Sequence, residues 1–526
     1  MRRILSTTVL VVAAAAGVAA PAGVPAVAAA GVTAPAGEVA RADFDDDGFV
    51  DLAVGVPDED VEARGDAGAV VVLYGSAAGL TGARAQLFHQ DLPQMVDRAE
   101  IGDRFGAALA TGDLNGDGFA DLAIGVPGED FGDAQLTRDS GAVAVLFGTS
   151  GGLTTAGDWL VSPRTVRGDQ FGSAVAVGPF DGLAGDDLAA GAPGADVGAA
   201  ADAGAVVVLA GTTAEFAARY VQGGGGVGGA AESGDRFGAA LASADLSGDG
   251  HPDLVAGAPG EAVGTAARAG AVVYLPGSAG GLTATGDRVY VQGGGGLGGR
   301  AESGDRFGEV LATGQANTGG PADLVVGAPG ENLAAGAGAG AVSVLYGATG
   351  GPSTAGDQLF YQGAGGIPDA PETNDGFGSA LAVGDVDGDS FPDLAVGVPG
   401  EEYFANVDVG DVILLHGTAG GLSGAGAQSM QQEISNIGSN EAGDHIGSAL
   451  AARDFDADGA GDLVVGMPGE DIDKLRDAGA IAYHQGPLGP ERPESRPLHA
   501  DSAGVPGAAE PGDRFGGVLG PGPLGG

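Results

Sequence analysis

The chain has 526 residues, of which 106 are Gly and 28 are Pro, yet 44% are hydrophobic, so a large core is possible between regular glycine-rich turns. Its 22 basic and 70 acidic residues give a formal net charge of −48, which excludes nucleic acid as a partner because phosphate binding needs a basic surface. Cysteine is absent, which excludes disulfides, thiolate metal sites and cysteine nucleophiles.

The N-terminal segment has the organisation of a secretory signal. Two arginines precede an apolar stretch over residues 4–20, and small residues with an Ala-x-Ala pattern follow. An uncleaved membrane anchor is the alternative, but Pro21 and Pro25 break a helix there. We predict a signal peptide over 1–30, a linker over 31–42, and a secreted, extracellular protein that has no membrane span after cleavage.

Three short motifs recur seven times in the rest of the chain. They are a Phe-Gly pair, an acid-rich loop that ends in Asp-Leu, and a Gly-x-Pro segment directly after that loop. The first residue of the pair, replaced once by Ile, recurs at intervals of 66 to 70 residues: it is Phe105, Phe171, Phe237, Phe307, Phe377, Ile446 and Phe515.

The repeat that begins at Phe105 predicts four strands, over residues 107–110, 122–126, 141–147 and 159–161. These runs are rich in Val and Leu, and Gly, Pro and Asp bound them, as is typical of strands. No segment after the N-terminal one keeps a helical apolar period. Four strands in each of seven repeats predict a β-propeller, and a linear β-solenoid is the alternative.

The two ends of the chain favour a closed ring. The first repeat begins at the acidic loop of Asp43 without a preceding Phe-Gly pair, and the last repeat consists of the pair at Phe515 alone. A C-terminal strand over 512–519 that joins the three N-terminal strands would complete a blade and leave no exposed edge. We therefore predict an all-β, seven-bladed β-propeller over 43–526, whose ring is closed by the C-terminal strand joining the N-terminal strands.

Five of the seven acidic loops have the composition of a calcium site. In the loop over 113–121, side chains with oxygen atoms occupy positions 1, 3, 5 and 9, Gly118 permits a sharp turn, and the carbonyl at position 7 adds another oxygen. Such a set suits a hard cation and not a soft metal. We predict about five Ca²⁺ sites, with ligands Asp43, Asp45, Asp47 and Asp51; Asp113, Asn115, Asp117 and Asp121; Asp245, Ser247, Asp249 and Asp253; Asp385, Asp387, Asp389 and Asp393; Asp454, Asp456, Asp458 and Asp462.

Of the other two loops, Pro179–Asp187 has groups that cannot coordinate at two of these positions, and Gln315–Asp323 keeps only one carboxylate. The alternative for every loop is an Asx turn that caps a hairpin without metal, because Asp and Asn bond to their own backbone there. Five loops in register favour metal, since three or four convergent carboxylates repel one another when no cation is present.

The Phe-Gly pair, the calcium-type loop and the Gly-Ala-Pro segment, as at 257–259, together resemble the FG-GAP repeat. This repeat is found in the N-terminal propeller of integrin α chains and in many secreted bacterial proteins. The resemblance covers residues 38–526. It implies a seven-bladed propeller with Ca²⁺ in the loops between the first and second strands of blades, which here means the five intact loops.

The sequence favours a binding or adhesion module over an enzyme. Residues 148–152 match the G-x-S-x-G pattern of a nucleophile elbow, but the equivalent segments of other repeats are plain turns. The Arg-Gly-Asp tripeptides at 64–66 and 167–169 coincide with repeat motifs and are interpreted as accidents of the repeat. We predict no catalytic residues, and the alternative is a hydrolase or a hydrolase-associated subunit, because propeller-bearing phospholipases carry a similar repeat.

We expect a monomer that binds an extracellular protein or glycan. In a four-stranded blade, the first–second and third–fourth loops share one face of the ring, called here the loop face. The second–third loops and the inter-blade connectors share the other face, called the connector face. The second–third loops vary in length and sequence, as recognition surfaces do, and their acids favour a basic or cation-bridged partner. Examples are the segments 129–140, 261–269, 401–409 and 470–478.

Overall fold

The computed structural model describes residues 42–131, 138–162, 166–183, 185–334, 336–404, 406–432, 439–489 and 495–520. The predicted signal peptide and almost all of the predicted linker lie outside these residues. The compact unit over Thr33–Gly526 contains all of the strands. Nowhere in the described ranges is there a helix with the length and hydrophobicity needed to span a bilayer.

The described residues form seven four-stranded antiparallel sheets, which we number as blades I to VII in chain order. The strands are, in blade I, β1 (Leu52–Val56), β2 (Ala69–Leu73), β3 (Gln86–Phe88) and β28 (Val518–Gly520); in blade II, β4 (Ala108–Gly112), β5 (Asp121–Val126), β6 (Ala142–Phe147) and β7 (Thr154–Val161); in blade III, β8 (Val175–Gly178), β9 (Asp187–Ala192), β10 (Ala205–Ala210) and β11 (Glu215–Tyr220); in blade IV, β12 (Leu241–Ala244), β13 (Asp253–Ala258), β14 (Ala271–Leu275) and β15 (Arg288–Tyr290); in blade V, β16 (Val310–Gly314), β17 (Asp323–Ala328), β18 (Ala341–Tyr346) and β19 (Ser353–Phe360); in blade VI, β20 (Ala380–Gly384), β21 (Asp393–Val398), β22 (Asp411–His416) and β23 (Ser423–Ser429); in blade VII, β24 (Leu450–Arg453), β25 (Asp462–Met467), β26 (Ala480–His484) and β27 (Ser495–Leu498).

The C-terminal strand closes the ring, as predicted. Strand β28 pairs antiparallel with β1, with Leu519 opposite Val54, so that blade I has the order β28-β1-β2-β3. The innermost strand of each blade contacts the innermost strand of the next, and β28 contacts both β24 and β4. The strand itself is shorter than the predicted 512–519, because residues before Val518 belong to the connector from blade VII.

The two central strands of each blade are almost fully buried, since each has a partner on both sides and a neighbouring blade on each face. All six residues of β5 are buried, whereas four of the six residues of the outermost strand β11 are exposed. Seven hydrophobic clusters each join two adjacent blades; the cluster that contains Phe105, for example, includes Val70 of blade I and Leu122 of blade II. The core is therefore a ring of seven interfaces between blades.

The Phe-Gly pair and the first Gly of the Gly-x-Pro segment meet at each such interface. The aromatic or Ile side chain of the pair is at most 1% exposed in all seven repeats. Its backbone N–H donates to the preceding blade, as Phe105 does to the Ala67 carbonyl at 3.0 Å. A Cβ atom on Gly55 would lie 2.2 Å from the Gly106 carbonyl oxygen, so any larger residue than Gly at position 55 would push adjacent blades apart.

Hydrogen bonds connect the segments that share each face. On the loop face, the Gly148 N–H of a third–fourth turn donates to Asp121, and the Thr149 N–H donates to the Phe44 carbonyl in the loop of blade I. On the connector face, the Gly128 N–H donates to the Asp103 carbonyl at 3.1 Å. The acidic loops and the variable second–third loops therefore lie on opposite faces.

Candidate metal centres in the acidic loops

The last Asp of each acidic loop, position 9, ties the loop to the third–fourth turn of its own blade. In every blade one carboxylate oxygen accepts the N–H of the Gly that begins that turn, at 2.7–3.0 Å, and a second N–H comes from the start of the loop. These seven residues are at most 3% exposed; they are Asp51, Asp121, Asp187, Asp253, Asp323, Asp393 and Asp462.

Burial dominates the electrostatics of these carboxyls. Desolvation raises the pKa of Asp51 to about 8 and that of Asp462 to about 7, although backbone N–H groups oppose the shift and nearby aspartates add to it. Desolvation also raises the pKa of Asp323 to about 6 in one of the two loops that lack a ligand set. Position 9 therefore has a structural role in all seven blades, beyond its predicted role as a ligand.

Positions 1 and 5 shape the loop through its own backbone. The Asp113 carboxylate accepts the N–H groups of Gly116, Asp117 and Gly118 at 2.8–3.0 Å, and the Asp117 carboxylate accepts the N–H of Phe119 at 3.0 Å. Gly118 has a φ of 96°, which a side chain would strain. The Asx-turn geometry of the alternative is thus present, but a carboxylate that accepts as many as three N–H groups keeps at least one lone pair for a cation.

In three loops the carboxylates also converge. Their donor oxygens lie within 4.8 Å of one another, and most of these residues are buried or half-buried. Burial is the main cause that raises the pKa of Asp43, Asp385 and Asp454, and repulsion from the neighbouring aspartates adds to it. Backbone hydrogen bonds oppose this shift without cancelling it. The three convergent groups are Asp43, Asp45 and Asp51; Asp385, Asp387 and Asp389; Asp454, Asp456 and Asp462.

The loops of blades II and IV differ because position 3 is not an acid. Asn115 donates its Nδ2 to Asp117 at 3.1 Å, and Ser247 donates its Oγ to Asp245 at 3.3 Å. Neither loop forms a convergent group of three acids among the described residues. Their oxygen-only composition still suits a hard cation, with fewer formal charges to neutralise.

The sequence prediction missed three side chains that reach into the convergent groups. Arg84 pairs with Asp45 and lies 3.4 Å from Asp47, His416 Nδ1 lies 3.0 Å from Asp387 Oδ2, and Gln485 donates to Asp456. Two of them, His416 and Gln485, immediately precede the Gly of the third–fourth turn. The sequence signal for these two side chains was a polar residue at a position where the other blades have Tyr, Phe, Ala or Pro.

The two loops predicted to lack metal keep only the structural contacts. In blade III the Asp181 N–H donates to Asp187 at 2.6 Å, and the exposed Leu183 occupies the place of a ligand. In blade V, Asn317 Nδ2 donates to Asp323, while Gln315 Nε2 donates to the Gly320 carbonyl. Among the described residues, neither loop brings three acids together.

Family models and known proteins match this architecture. The FG-GAP repeat model matches residues 36–73, 105–146, 237–275, 377–415 and 446–484. The phosphatidylinositol-glycan-specific phospholipase D of Rattus norvegicus is 37% identical over 114 residues, which is 22% of this chain and 13% of that protein. Integrin alpha-3 of Cricetulus griseus is 32% identical over 136 residues, covering 26% of this chain and 11% of the integrin. Integrin alpha-PS5 of Drosophila melanogaster is 33% identical over 193 residues, covering 35% and 17%.

The chain spans less than a fifth of the length of these relatives. Among solved structures, the rhamnogalacturonan lyase YesW aligns with a TM-score of 0.34 and 14% identity, covering 69% of this chain and 59% of the lyase. The assignment of the fold rests on the strand pairing and the repeats. Five matched FG-GAP repeats, integrin α relatives and a ring of seven blades identify the chain as an FG-GAP, integrin-α-like propeller protein.

Proposed function

We propose that this protein is a secreted, non-catalytic binding module whose propeller is stabilised by Ca²⁺. The observation that carries the calcium proposal is the convergence of carboxylate oxygens in the loops of blades I, VI and VII. The carboxylates at positions 1, 3, 5 and 9 would hold the ion, and the carboxylate at position 9 also ties the loop to the third–fourth turn. A bound Ca²⁺ supplies positive charge that removes the repulsion among these groups.

The proposed binding surface is the connector face. Five of the eight large hydrophobic residues that the described structure exposes lie on this face, in connectors or in second–third loops. Phe404 is 92% exposed and stacks edge-to-face on Tyr403 at 4.5 Å between ring centroids. Exposed aromatic and aliphatic side chains on a rigid scaffold suit either an apolar protein surface or the face of a sugar ring.

The buried acids of this face do not favour a basic partner directly. Glu129 and Glu401 are 1% and 2% exposed, and glutamine side chains of the preceding blade donate hydrogen bonds to both. Neighbouring Asp130 is half-buried and Glu402 is exposed, so only part of the acidic set predicted for recognition can touch a ligand. The apolar residues are therefore the stronger candidates for contact.

The calcium proposal is tested by thermal unfolding of the purified mature protein with excess Ca²⁺ and with EDTA. Binding to the native state alone adds about 2.7 kcal/mol per site at a hundredfold excess over Kd. We expect a large fall in Tm with EDTA and one Ca²⁺ fewer bound in Asp387→Ala, which removes the oxygen ligand at position 3. The matched control Asp181→Ala, at the same position of a loop without a ligand set, should bind as many ions as the wild type. Identical melting curves with and without EDTA would contradict the proposal.

A catalytic role remains the second candidate because of the similarity to phospholipase D proteins. The G-x-S-x-G segment does not support it: Thr149 donates its Oγ1 to the Gly152 carbonyl at 2.7 Å and closes a turn, as Thr418 does to Gly421 at 2.6 Å. A phospholipid hydrolysis assay with the purified protein distinguishes the two functions. Turnover that is lost in Ser150→Ala would show that this segment is a nucleophile elbow after all.

The two Arg-Gly-Asp tripeptides do not present a free recognition motif. Arg64 bonds to Asp91 at 2.5 Å, and the Asp66 N–H donates to Asp60. In the second tripeptide, Asp169 is 8% exposed and its carboxylate accepts the N–H of Val166. The interpretation of both tripeptides as accidents of the repeat stays a prediction.

A further inference from the structure

The residue directly before the Phe-Gly pair has the same backbone geometry in all seven repeats. Its φ lies between 52° and 68°, and its N–H donates at 3.1 Å to the carbonyl three residues before the third strand of the preceding blade. The repeat therefore places seven equivalent residues around the connector face. These residues, called here the rim residues, are Arg104, Gln170, Arg236, Arg306, Gly376, His445 and Arg514.

The rim residues are basic in a chain that is strongly acidic. Only 22 of the 526 residues are Lys or Arg, yet four of the seven rim residues are Arg, one is His and none is Asp or Glu. Their left-handed backbone favours Gly, Asn or Asp, but only Gly376 follows this preference. The backbone conformation therefore does not explain the arginines, which indicates a role for their positive charge.

Two of the rim arginines converge on one carboxylate. Arg104 Nη2 lies 3.2 Å from Asp58 Oδ1, and Arg514 Nη1 lies 3.5 Å from Asp58 Oδ2. Asp58 belongs to the second–third loop of blade I, whereas the two arginines belong to the connectors that lead into blades II and I. All three side chains line a cavity of about 400 Å³ on the connector face.

This cavity is the mouth of the central channel. Its walls include residues from four successive blades: Pro468 of blade VII, Val518 of blade I, Pro127 of blade II, and Ser173, which precedes the innermost strand of blade III. Four successive blades of a ring meet only around its axis, where the innermost strands lie. A ligand that enters the mouth from solvent would therefore reach both arginines without separating any blades.

Asp58 departs from the repeat at a position that is sterically closed in the other blades. The Gly-x-Pro segment is followed by Gly in the other six repeats, where blade I has Asp58. A Cβ atom on any of these six glycines would lie 1.8–2.0 Å from a backbone carbonyl oxygen of the adjacent connector. Blade I instead accommodates a carboxylate between two arginines, so the mouth already shows how one carboxylate binds there.

Asp58 does not neutralise the two guanidinium groups. One negative charge faces two positive charges, and among the described residues no other acid pairs with Arg104 or Arg514. The two arginine side chains are 52% and 60% exposed, so N–H donors that Asp58 does not use are open to solvent. Ion pairs this exposed contribute little to stability, so joining the blades does not account for them. Planar guanidinium groups with free donors suit a second carboxylate.

We propose that this mouth binds a single carboxylate side chain of an extracellular protein partner through Arg104 and Arg514. The proposal rests on the proposed function, because it gives the chemistry that the connector face recognises at its centre. The net charge of −48 repels a polyanionic chain such as an acidic polysaccharide. The exposed Ile101 and Val166, three and four residues before rim residues, instead suit the apolar surroundings of one acid on a protein surface.

NMR titration of the purified mature protein with the peptide acetyl-Ala-Asp-Ala-amide tests the proposal. The Nε–H signals of the two arginines are assigned from their loss in Arg104→Gln and in Arg514→Gln. We expect saturable shifts of both signals with this peptide, and none at equal ionic strength with acetyl-Ala-Asn-Ala-amide, which lacks only the charge. In Arg514→Gln, the Arg104 signal should report binding that is weaker by about fivefold or more.

Two further variants serve as matched comparisons. Arg236→Gln changes a rim residue that has the same φ of 59° as Arg104 but does not line the cavity, and it should bind the peptide as the wild type does. Asp58→Gly introduces the residue of the other six blades and removes the competing carboxylate, so we expect binding that is tighter by about threefold or more. Thermal unfolding of each variant checks that its fold is retained.

Any of three results would overturn the site. They are the absence of a saturable shift in both the wild type and Asp58→Gly, equal shifts with the Asn peptide, and unchanged affinity in Arg514→Gln. Galacturonic acid, whose carboxylate belongs to a sugar, should bind more weakly than the Asp peptide, and tighter binding would contradict a protein partner. None of these titrations depends on Ca²⁺, so a failure here is distinct from a failure of the calcium test of the proposed function.

Discussion

Single carboxylates in this protein combine structural and ligand roles that composition alone does not separate. The position-9 Asp was predicted as a ligand in five loops, yet it makes the same backbone contacts in the two loops that lack a ligand set. The sequence did contain the signal, because this Asp persists in all seven loops while positions 1, 3 and 5 vary. Its contacts with the third–fourth turn could not be predicted, since they join segments that are 24 to 27 residues apart.

Asp323→Ala tests the structural role without the metal. This change leaves the N–H groups of Ala316 and Gly347 without their acceptor, so we expect a loss of about 2–4 kcal/mol of unfolding free energy in urea denaturation. Bound Ca²⁺ should not change in number. In contrast, Asp121→Ala should lose both stability and one ion. If Asp323→Ala unfolds at the same urea concentration as the wild type, the hydrogen bonds of Asp323 contribute nothing to stability.

His484 is a second residue whose role follows from its position. It pairs with Leu463 at a place where the other six blades have Leu, and it is 1% exposed. Burial lowers its pKa to about 4, so between pH 4 and 6.5 the unfolded chain binds more protons than the native protein. Native stability therefore falls as the pH falls through this window.

His484→Leu should remove this acid sensitivity. The unfolding free energy of the variant minus that of the wild type should be about 2 kcal/mol larger at pH 5 than at pH 7. Each pH unit over which the folded and unfolded chains differ by one bound proton contributes about 1.4 kcal/mol. Urea denaturation of both proteins at the two pH values measures it. In the variant the Ser495 Oγ loses its 2.7 Å hydrogen bond with His484 Nδ1. This loss lowers the unfolding free energy by the same amount at both pH values. An equal difference between the two proteins at pH 5 and pH 7 would show that His484 is protonated in the folded state.

At the scale of strands and connectors, the sequence predicted most of the blade. In blade II, the second strand was predicted as 122–126 and is observed as Asp121–Val126, whereas the outermost strand was predicted from 159 and begins at Thr154. The missed residues are Thr, Ala, Gly and Asp, so they lack the apolar pattern that identifies a strand. The sequence prediction also missed the buried Gln that follows the outermost strand of five blades and donates to a Glu of the next blade, as Gln90 does to Glu129, although this Gln lies 39 residues before the Glu in four of the five cases.

Removal of the closing strand should affect the whole ring. A chain that stops at Gly504 lacks β28 and exposes β1 and the innermost strands of blades II and VII. Unpaired edges promote association, so we expect aggregation or a much lower Tm. A chain that stops at Gly520 keeps β28 and should behave as the full-length protein in light scattering and thermal unfolding. Equal behaviour of the two truncated chains would mean that β28 does not hold the ring closed.

At the scale of the molecule, charge is the least balanced property, with a net charge of −48. Both faces carry buried carboxyls whose pKa values are raised. On the connector face, burial, followed by repulsion from Asp513, Glu510 and Asp60, raises the pKa of Glu59 to about 8. Burial, together with nearby acids, raises that of Asp444 to about 7. The repeats that the sequence revealed explain why such sites recur around the ring, whereas the degree of burial of each carboxyl depends on packing between blades and could not be predicted.

This distribution predicts how pH and calcium act together on stability. Between pH 6.5 and 8 the native protein keeps protons on carboxyls such as Glu59 that are fully ionised in the unfolded chain, so unfolding free energy falls as the pH rises. In EDTA we therefore expect Tm to increase when the pH is lowered from 8 to 6.5, a window above the titration of His484. Saturating Ca²⁺ should reduce this dependence, because cations compensate charges on the acids that bind them. Thermal scans at the two pH values, with and without Ca²⁺, measure the effect, and a Tm in EDTA that rises with pH over this range would contradict the burial of protonated carboxyls.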